Sequence, residues 1–364
     1  MRRTHFAAFA PLCPRCVRGG LGVRPLRIAT VFAECDNDIQ HGILNCTNSA
    51  CMLEFPIIDG LPIIVPDPRA LLAERAVELM LRTDLNPVLE SLLGDAMGPG
   101  SWFDGLRQTL STYFWDGWAD CDPAEIQLEH APAPGAARRC LARLEEMAPA
   151  PVRRALDLGC GAGRTSFDLA ARHPDALVLG IDLHPGVLRA VRGALAAQIS
   201  YPRRRIGVVF DRRVFPVAPA GATRVDFWMC DALALPFVPG SADLAVALNL
   251  LDCVPEPRQL LAALAAVVAP GGRVLLGCPY DWATRATPIE TWIGGHSQRG
   301  PDGGAAETFL RTLLTPGAHP QFVPGLRILA EDIAFPWQTR LHDRAAVSYR
   351  THLLALGRTD AASL

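Results

Sequence analysis

Residues 154–170 read RALDLGCGAGRTSFDLA. The apolar run RALDL suits a buried strand, and RTSFDLAARH beyond the glycines has helical spacing. Between them, Gly159, Gly161 and Gly163 stand two apart. Glycine reaches left-handed backbone without steric cost and lets a ligand approach the chain closely. A strand, a glycine turn and a helix in this order form a nucleotide-type binding loop. The dinucleotide fingerprint is G-x-G-x-x-G, but the sixth position here is Arg164, so the pyrophosphate cradle is missing. Asp157 sits at the end of the first strand. Asp182 ends the next one, ALVLGID, 19 residues after Gly163. A carboxylate at that point can accept hydrogen bonds from both ribose hydroxyls.

Working outward, strands and helices alternate from residue 152. PGVLRAVRGALAAQ reads as a helix, RVDFWMCDA as a strand, ADLAVALNLLD as a strand, EPRQLLAALAAVVAP as a helix and GRVLLGCPY as a strand. LRILAEDIAF and AVSYRTHLLALG read as a final pair of strands. This alternation predicts an α/β fold: a Rossmann-like, mainly parallel sheet with helices on both faces. Before it, residues 69–151 read as helices and linkers, with RALLAERAVELMLR amphipathic and APAPG and APAP as connections. Residues 1–68 hold five cysteines and end in two short β-like runs hinged at Asp59-Gly60. The expected division is therefore 1–68, 69–151 and 152–364.

The 364 residues carry a formal net charge of −2, which argues against a general polyanion binder. Every basic residue is arginine. No apolar run is long enough to span a bilayer, so no membrane association is expected. The apolar patch in MRRTHFAAFAPLC is interrupted at Pro11, too short for a secretory leader, and a cytoplasmic location is expected. In a reducing compartment, the chain's 11 cysteines are metal ligands or small core residues rather than disulfides.

Four features in order resemble the class I S-adenosylmethionine-dependent methyltransferases. Asp157, Gly159, Gly161 and Gly163 meet that family's first motif, acidic-x-G-x-G-x-G. Asp182 stands where the family binds ribose, with Leu183 after it. Asp231 and Ala232 in MCDALALPF follow the third strand, where an acid reaches the adenine amino group. NLLDCV ends the fourth strand and APGGRVLLGCP turns into the fifth. The resemblance implies S-adenosylmethionine as cofactor, with Cys160 in the loop beside it and Asn249 lining the methionine or acceptor side.

Cys13 and Cys16 form a C-x-x-C knuckle, and Cys46 and Cys51 a looser pair. Two pairs about 30 residues apart suit a closed, tetrahedral structural zinc, with Cys35 an alternative to Cys46. CMLEFPIIDGLPIIVPD resembles the end of the small zinc-ribbon partner subunit of tRNA and protein methyltransferases. A zinc-ribbon-like β module is therefore expected at 1–68. Cys160, Cys230, Cys253 and Cys278 fall near predicted strand ends and read as small core residues.

Three segments bear on the methyl acceptor. NLLD lacks the Pro-Pro-aromatic continuation common in enzymes that methylate base amines. PRRR at 202–205 and DRR at 211–213 could hold phosphates or form a solvated face. CPYDWATRATPIETWIGGHSQRGPDGG places Tyr280, Trp282, Trp292 and His296 in a loop beyond the fifth strand, a candidate substrate wall. With RTSFDLA, NLLDCVPEP and the terminal FPWQTRLHDRAAVSYRTHLLALGR, that loop resembles the methyltransferase domain of ovothiol-synthesising enzymes, which methylates an imidazole nitrogen of a mercaptohistidine. The similarity spans most of 152–358, while the cysteine block has no counterpart there. It implies methyl transfer to an imidazole-like nitrogen of a small thiol- or selenol-containing molecule. Asp252, Tyr280 and His296 are the candidates for orienting the acceptor or taking a proton; Tyr280, Trp282 and Trp292 are the candidates for contacting it. An rRNA, tRNA or protein acceptor, with the ribbon as a built-in partner module, is the second reading. A non-catalytic scaffold would predict a broken glycine loop, and the loop is intact.

Overall fold

The computed structural model describes residues 1–71, 87–126 and 131–359. Helices α1 (Arg3–Phe9) and α2 (Pro14–Arg18) lead into an antiparallel meander of β1 (Leu26–Cys35), β2 (Asp38–Cys46), β3 (Glu54–Ile58) and β4 (Leu61–Ile64). Asp59 and Gly60, both at positive φ, make the two-residue turn between β3 and β4. Residues 72–86, most of the amphipathic RALLAERAVELMLR, lie outside the described residues. Then follow α3 (Pro87–Met97), α4 (Trp102–Trp118) and α5 (Ala136–Met147).

The glycine loop connects β5 (Arg154–Leu158) to α6 (Arg164–Arg172). Next come β6 (Leu177–Asp182), α7 (Pro185–Leu195), a hairpin of β7 (Gln198–Ile206) and β8 (Val209–Pro216), β9 (Val225–Cys230) and β10 (Ala242–Leu248). The chain ends through α8 (Pro257–Val267), β11 (Val268–Cys278), α9 (Ala306–Leu313), β12 (Leu326–His342) and β13 (Ala345–Arg358). One sheet of 11 strands runs β1-β2-β3-β4-β9-β6-β5-β10-β11-β13-β12. From β4 to β11 every pairing is parallel, and β13 and β12 close the far edge antiparallel. The central strands are buried on both faces, as parallel strands covered by helices must be. In β9, Trp228 and Cys230 face one core and Val225, Phe227 and Met229 the other.

From β5 the chain steps outward to β6 and β9, then returns to β10 and steps the opposite way to β11. The order reverses between β5 and β10. Ligands of open α/β sheets bind at such a reversal, beyond the carboxyl ends of the strands. The cysteine-bearing block is continuous with this sheet: Ile63 pairs with Met229 and Ile64 with Cys230. Phe9 packs 6.4 Å from Trp228 and 5.8 Å from Phe237, so that block shares a core with the parallel strands.

Candidate active site

The glycine loop is held from both ends. Asp157, 2% exposed, accepts hydrogen bonds from Thr165 Oγ1 (2.7 Å) and Ser166 Oγ (2.6 Å), tying the tip of β5 to the first turn of α6. Burial pushes its carboxyl up to about 6. Gly159, Gly161 and Gly163 all have positive φ, at 67°, 50° and 69°. A Cβ at Gly163 would meet Val191 and come within 2.7 Å of the Phe227 ring, so that position excludes any larger residue. The Gly161 amide points across to β6 and donates to Asp182 Oδ2 at 3.1 Å. The His184 amide donates to Asp182 Oδ1 at 2.9 Å. A carboxylate offers about four acceptor sites, so these two bonds fix Asp182 and leave capacity for a pair of hydroxyls. Asp231 is fixed in the same way through Oδ1 by the Leu233 amide (2.9 Å).

Asn249 sits just past β10 at φ 52°, its amide donating to the Gly277 carbonyl at 2.7 Å. Its side-chain Oδ1 is buried and has no protein donor. A buried amide oxygen without a partner is costly. The ammonium of an amino-acid moiety would satisfy it, so the residues present fit the cofactor that the sequence implies.

All these groups open onto one cavity of about 430 Å³, within the range for small-molecule sites. Asp157, Gly159, Cys160, Gly161, Gly163, Asp182, Leu183, Asp231, Ala232 and Asn249 all line it. The rest of the lining includes Thr109, Thr112 and Tyr113 of α4, which the sequence did not mark as site residues, and Trp337 and Thr339 of β12; Cys253, expected to be a small core residue, is instead exposed and lines the cavity. The cap is anchored to the loop. Trp118 Nε1 donates to the Ala162 carbonyl at 2.9 Å, and the Arg164 guanidinium lies 4.7 Å over the Trp118 ring.

Among the described residues lining the cavity, Asp252, Tyr280, Trp282, Trp292 and His296 do not appear. Asp252 is buried; its Oδ2 accepts the Asp281 amide at 2.9 Å, and its carbonyl accepts Thr287 Oγ1 at 3.0 Å, which anchors the loop after β11. Burial raises its carboxyl above the usual range. Tyr280, at φ 57°, hydrogen-bonds through its hydroxyl to His352 Nδ1 (2.7 Å), whose Nε2 meets Glu331 Oε2 (3.1 Å). Trp282 and Trp292 stack on each other at 5.6 Å, 11° from parallel, and Trp292 Nε1 donates to the Thr287 carbonyl. His296 is exposed.

The arginine-rich insert is the β7–β8 hairpin, and all its arginines but Arg204 pair with acids, most of them on other segments. Arg203 binds Glu125 (2.6 Å) and Asp343 (2.7 Å), Arg213 binds Asp122 (2.6 Å), Arg212 binds Glu90 and Arg204 binds the Gln108 amide oxygen (2.8 Å). Arg205 faces Asp211 at 3.5 Å.

In the N-terminal block, the sulfurs of Cys13, Cys16, Cys46 and Cys51 lie within 4.8 Å of one another. Cys13 is 3.9 Å from Cys51, and Cys16 is 3.7 Å from Cys46. Four thiolates about 2.3 Å from one tetrahedral ion stand about 3.8 Å apart. Cys35 is exposed near the β1–β2 turn, apart from this cluster.

Residues 156–276 match a family model described as a methyltransferase domain. The chain is 34% identical over 139 residues to a trans-aconitate 2-methyltransferase of Methylobacterium nodulans, covering 38% of this chain and 42% of that protein. It is 28% identical over 184 residues to the trans-aconitate 2-methyltransferase of Deinococcus radiodurans, covering 48% and 58%. The chain thus spans about half the length of these curated relatives. A solved phosphoethanolamine N-methyltransferase 2 of Haemonchus contortus, in complex with S-adenosyl-L-methionine, is 20% identical with a TM-score of 0.34 over 50% of this chain and 35% of that one. Among the described residues no helix is long and apolar enough to cross a membrane. The Rossmann-like sheet, the glycine loop and the match over 156–276 together identify the chain as one that carries a class I, S-adenosylmethionine-dependent methyltransferase domain.

Proposed function

We propose that the protein transfers a methyl group from S-adenosylmethionine to an imidazole-like nitrogen of a small thiol- or selenol-bearing molecule. The observation that carries this reading is the single cavity in which Asp182, Asp231 and Asn249 form one wall and the α4–β12 residues the other. When bound, the cofactor supplies an activated sulfonium methyl. Asp182 would grip the ribose hydroxyls, Asp231 the adenine amino group, and Asn249 Oδ1 the ammonium. The remaining task of the protein is to hold an acceptor lone pair in line, about 3–3.5 Å from the methyl carbon, which alone can contribute about 7–11 kcal/mol. A neutral imidazole nitrogen already presents its lone pair, so this acceptor needs no strong base. Asp252, next to the lining residue Cys253, anchors the loop after β11 through Asp281 and Thr287, and Tyr280, Trp282, Trp292 and His296 are left outside the cavity lining. The resemblance of residues 152–358 to mercaptohistidine-methylating domains supports only the class of the acceptor atom, an imidazole-like nitrogen, and leaves the rest of the acceptor molecule open. The acid-paired β7–β8 arginines leave little free charge for a nucleic acid backbone, which favours a small acceptor over RNA.

We also propose that Cys13, Cys16, Cys46 and Cys51 hold a structural zinc. A site closed by four thiolates has no open position, so this metal would stabilise the N-terminal block and take no part in chemistry.

Incubation with methyl-labelled cofactor, thio-imidazoles, tRNA and ribosomal protein tests the acceptor. Label is expected in the thio-imidazoles. Label in macromolecules alone contradicts the reading.

A further inference from the structure

The wall opposite the cofactor groups has a specific chemistry. It includes the hydroxyl-bearing residues Thr109, Thr112, Tyr113 and Thr339 together with Cys253 and Trp337. Tyr113 stands over the glycine loop, its ring 3.9 Å from where a Gly161 Cβ would be. It is half exposed, and the surface it exposes belongs to the cavity lining. Desolvation raises its phenol, and the Cys253 thiol and the charges of Asp182 and Asp252 raise it further. A phenol and a thiol are protonated near neutral pH, and desolvation at the cavity wall raises both further, the thiol to about 12. Both are therefore neutral donors and not nucleophiles. Trp337 is held by its Nε1 donating to Thr339 Oγ1 (3.1 Å), and β12 is pinned to α4 by Arg340 over the Trp115 ring at 5.5 Å.

The charge balance is one-sided. Among the described residues, the one guanidinium lining the cavity is Arg164. It is occupied by Asp120 (3.2 Å), Asp168 (3.8 Å) and the face of Trp118. Four aspartates, Asp116, Asp157, Asp182 and Asp231, line the same space. Such a field suits a cationic sulfonium and opposes a second anion. A carboxylate or phosphate brought here would be desolvated without a partner cation.

We propose that Thr109, Thr112, Tyr113, Cys253, Trp337 and Thr339 form the acceptor subsite, and that it takes a neutral or cationic planar ring bearing an amine, rejecting carboxylates and phosphate esters. This assignment rests on the methyl-transfer reading above. It departs from the tricarboxylate named for the relatives, and it selects an amine-bearing thio-imidazole over the corresponding amino acid. Tyr113 is the specificity-determining residue: its hydroxyl donates to the ring or its sulfur, and its ring covers the methyl path.

The test is calorimetry on the full chain saturated with S-adenosylhomocysteine, titrated in turn with 2-mercaptohistamine, 2-mercaptohistidine and trans-aconitate. The amine is expected to bind at least tenfold more tightly than the amino acid, with trans-aconitate weakest. Tyr113→Phe, which keeps the ring, is expected to weaken the amine about fivefold, the value of one hydrogen bond, and to leave S-adenosylhomocysteine binding within about twofold. Equal or tighter binding of 2-mercaptohistidine or trans-aconitate overturns the assignment alone, as does an unchanged affinity in Tyr113→Phe. Absence of S-adenosylhomocysteine uptake overturns the underlying reading together with it.

Discussion

Asp157 illustrates how one residue serves the site by holding its loop in place. Its carboxylate, enclosed by Thr165 and Ser166, locks the glycine loop, and burial raises it to about 6 against an ordinary 3.8. The folded state therefore binds a proton more tightly than the unfolded chain. Stability from this group is highest below the unfolded value and declines as pH rises through the folded one. Asp157→Asn removes that titration. The lead of wild type over the variant is expected to shrink by about 2–3 kcal/mol between pH 4 and pH 7, read from urea unfolding at each pH. A constant difference across that range would contradict the assignment. At this scale the sequence was informative: Asp157, the three glycines, Asp182 and Asp231 declare themselves by spacing, because the backbone must turn at fixed points between strand and helix. Tyr113, Trp337 and Thr339 do not, since each lies in an ordinary helical or strand pattern and faces the cavity through tertiary packing.

Among the elements, the β7–β8 hairpin shows where composition misleads. PRRR and DRR read first as a solvated face and second as phosphate holders; in the fold they clamp the hairpin to α3, to the segment after α4 and to the β12–β13 turn. Glu125, 5% exposed, carries two bonds to Arg203 and lies 3.8 Å from Arg213. Removing one partner of a buried network leaves uncompensated charge. Glu125→Gln is expected to cost about 3 kcal/mol. Asp211→Asn, which breaks the exposed Arg205–Asp211 pair, should change stability by less than about 0.5 kcal/mol. Guanidinium or urea unfolding of the two variants checks the contrast, and equal costs would contradict it. β12 gives a second lesson. The pattern LRILAEDIAF suggests an end before Pro336, yet the strand continues to His342 with Pro336 opposite Arg350. β12 is the sheet's edge, where proline's missing N–H is tolerated.

For the molecule as a whole, the cysteine block extends the same sheet that carries the cofactor loop. The pairing of β4 with β9 buries Phe9 and Phe55 in the same core as Trp228, so loss of order in that block reaches the catalytic sheet. If Cys13, Cys16, Cys46 and Cys51 hold zinc, protein purified without chelator should contain about one zinc per chain, since one tetrahedral site takes four thiolates. Cys46→Ser should abolish that content and lower the melting temperature, as measured by elemental analysis and calorimetry. Full zinc content in Cys46→Ser would contradict the cluster. The alternation of strand and helix from residue 152 made the parallel sheet legible, because period and turn residues are local properties. The addition of four antiparallel strands to its β9 edge was not, because strand partners are chosen by exposed edges and shared core. The central claim is that this sheet binds an adenosyl sulfonium cofactor through Asp182, and the direct measurement is calorimetric titration of the full chain with S-adenosylhomocysteine, wild type beside Asp182→Ala. The account predicts saturable one-to-one binding that weakens about 100-fold in the variant, the loss of two hydrogen bonds to a charged acceptor. No binding by the wild type, or equal binding by both, would contradict it.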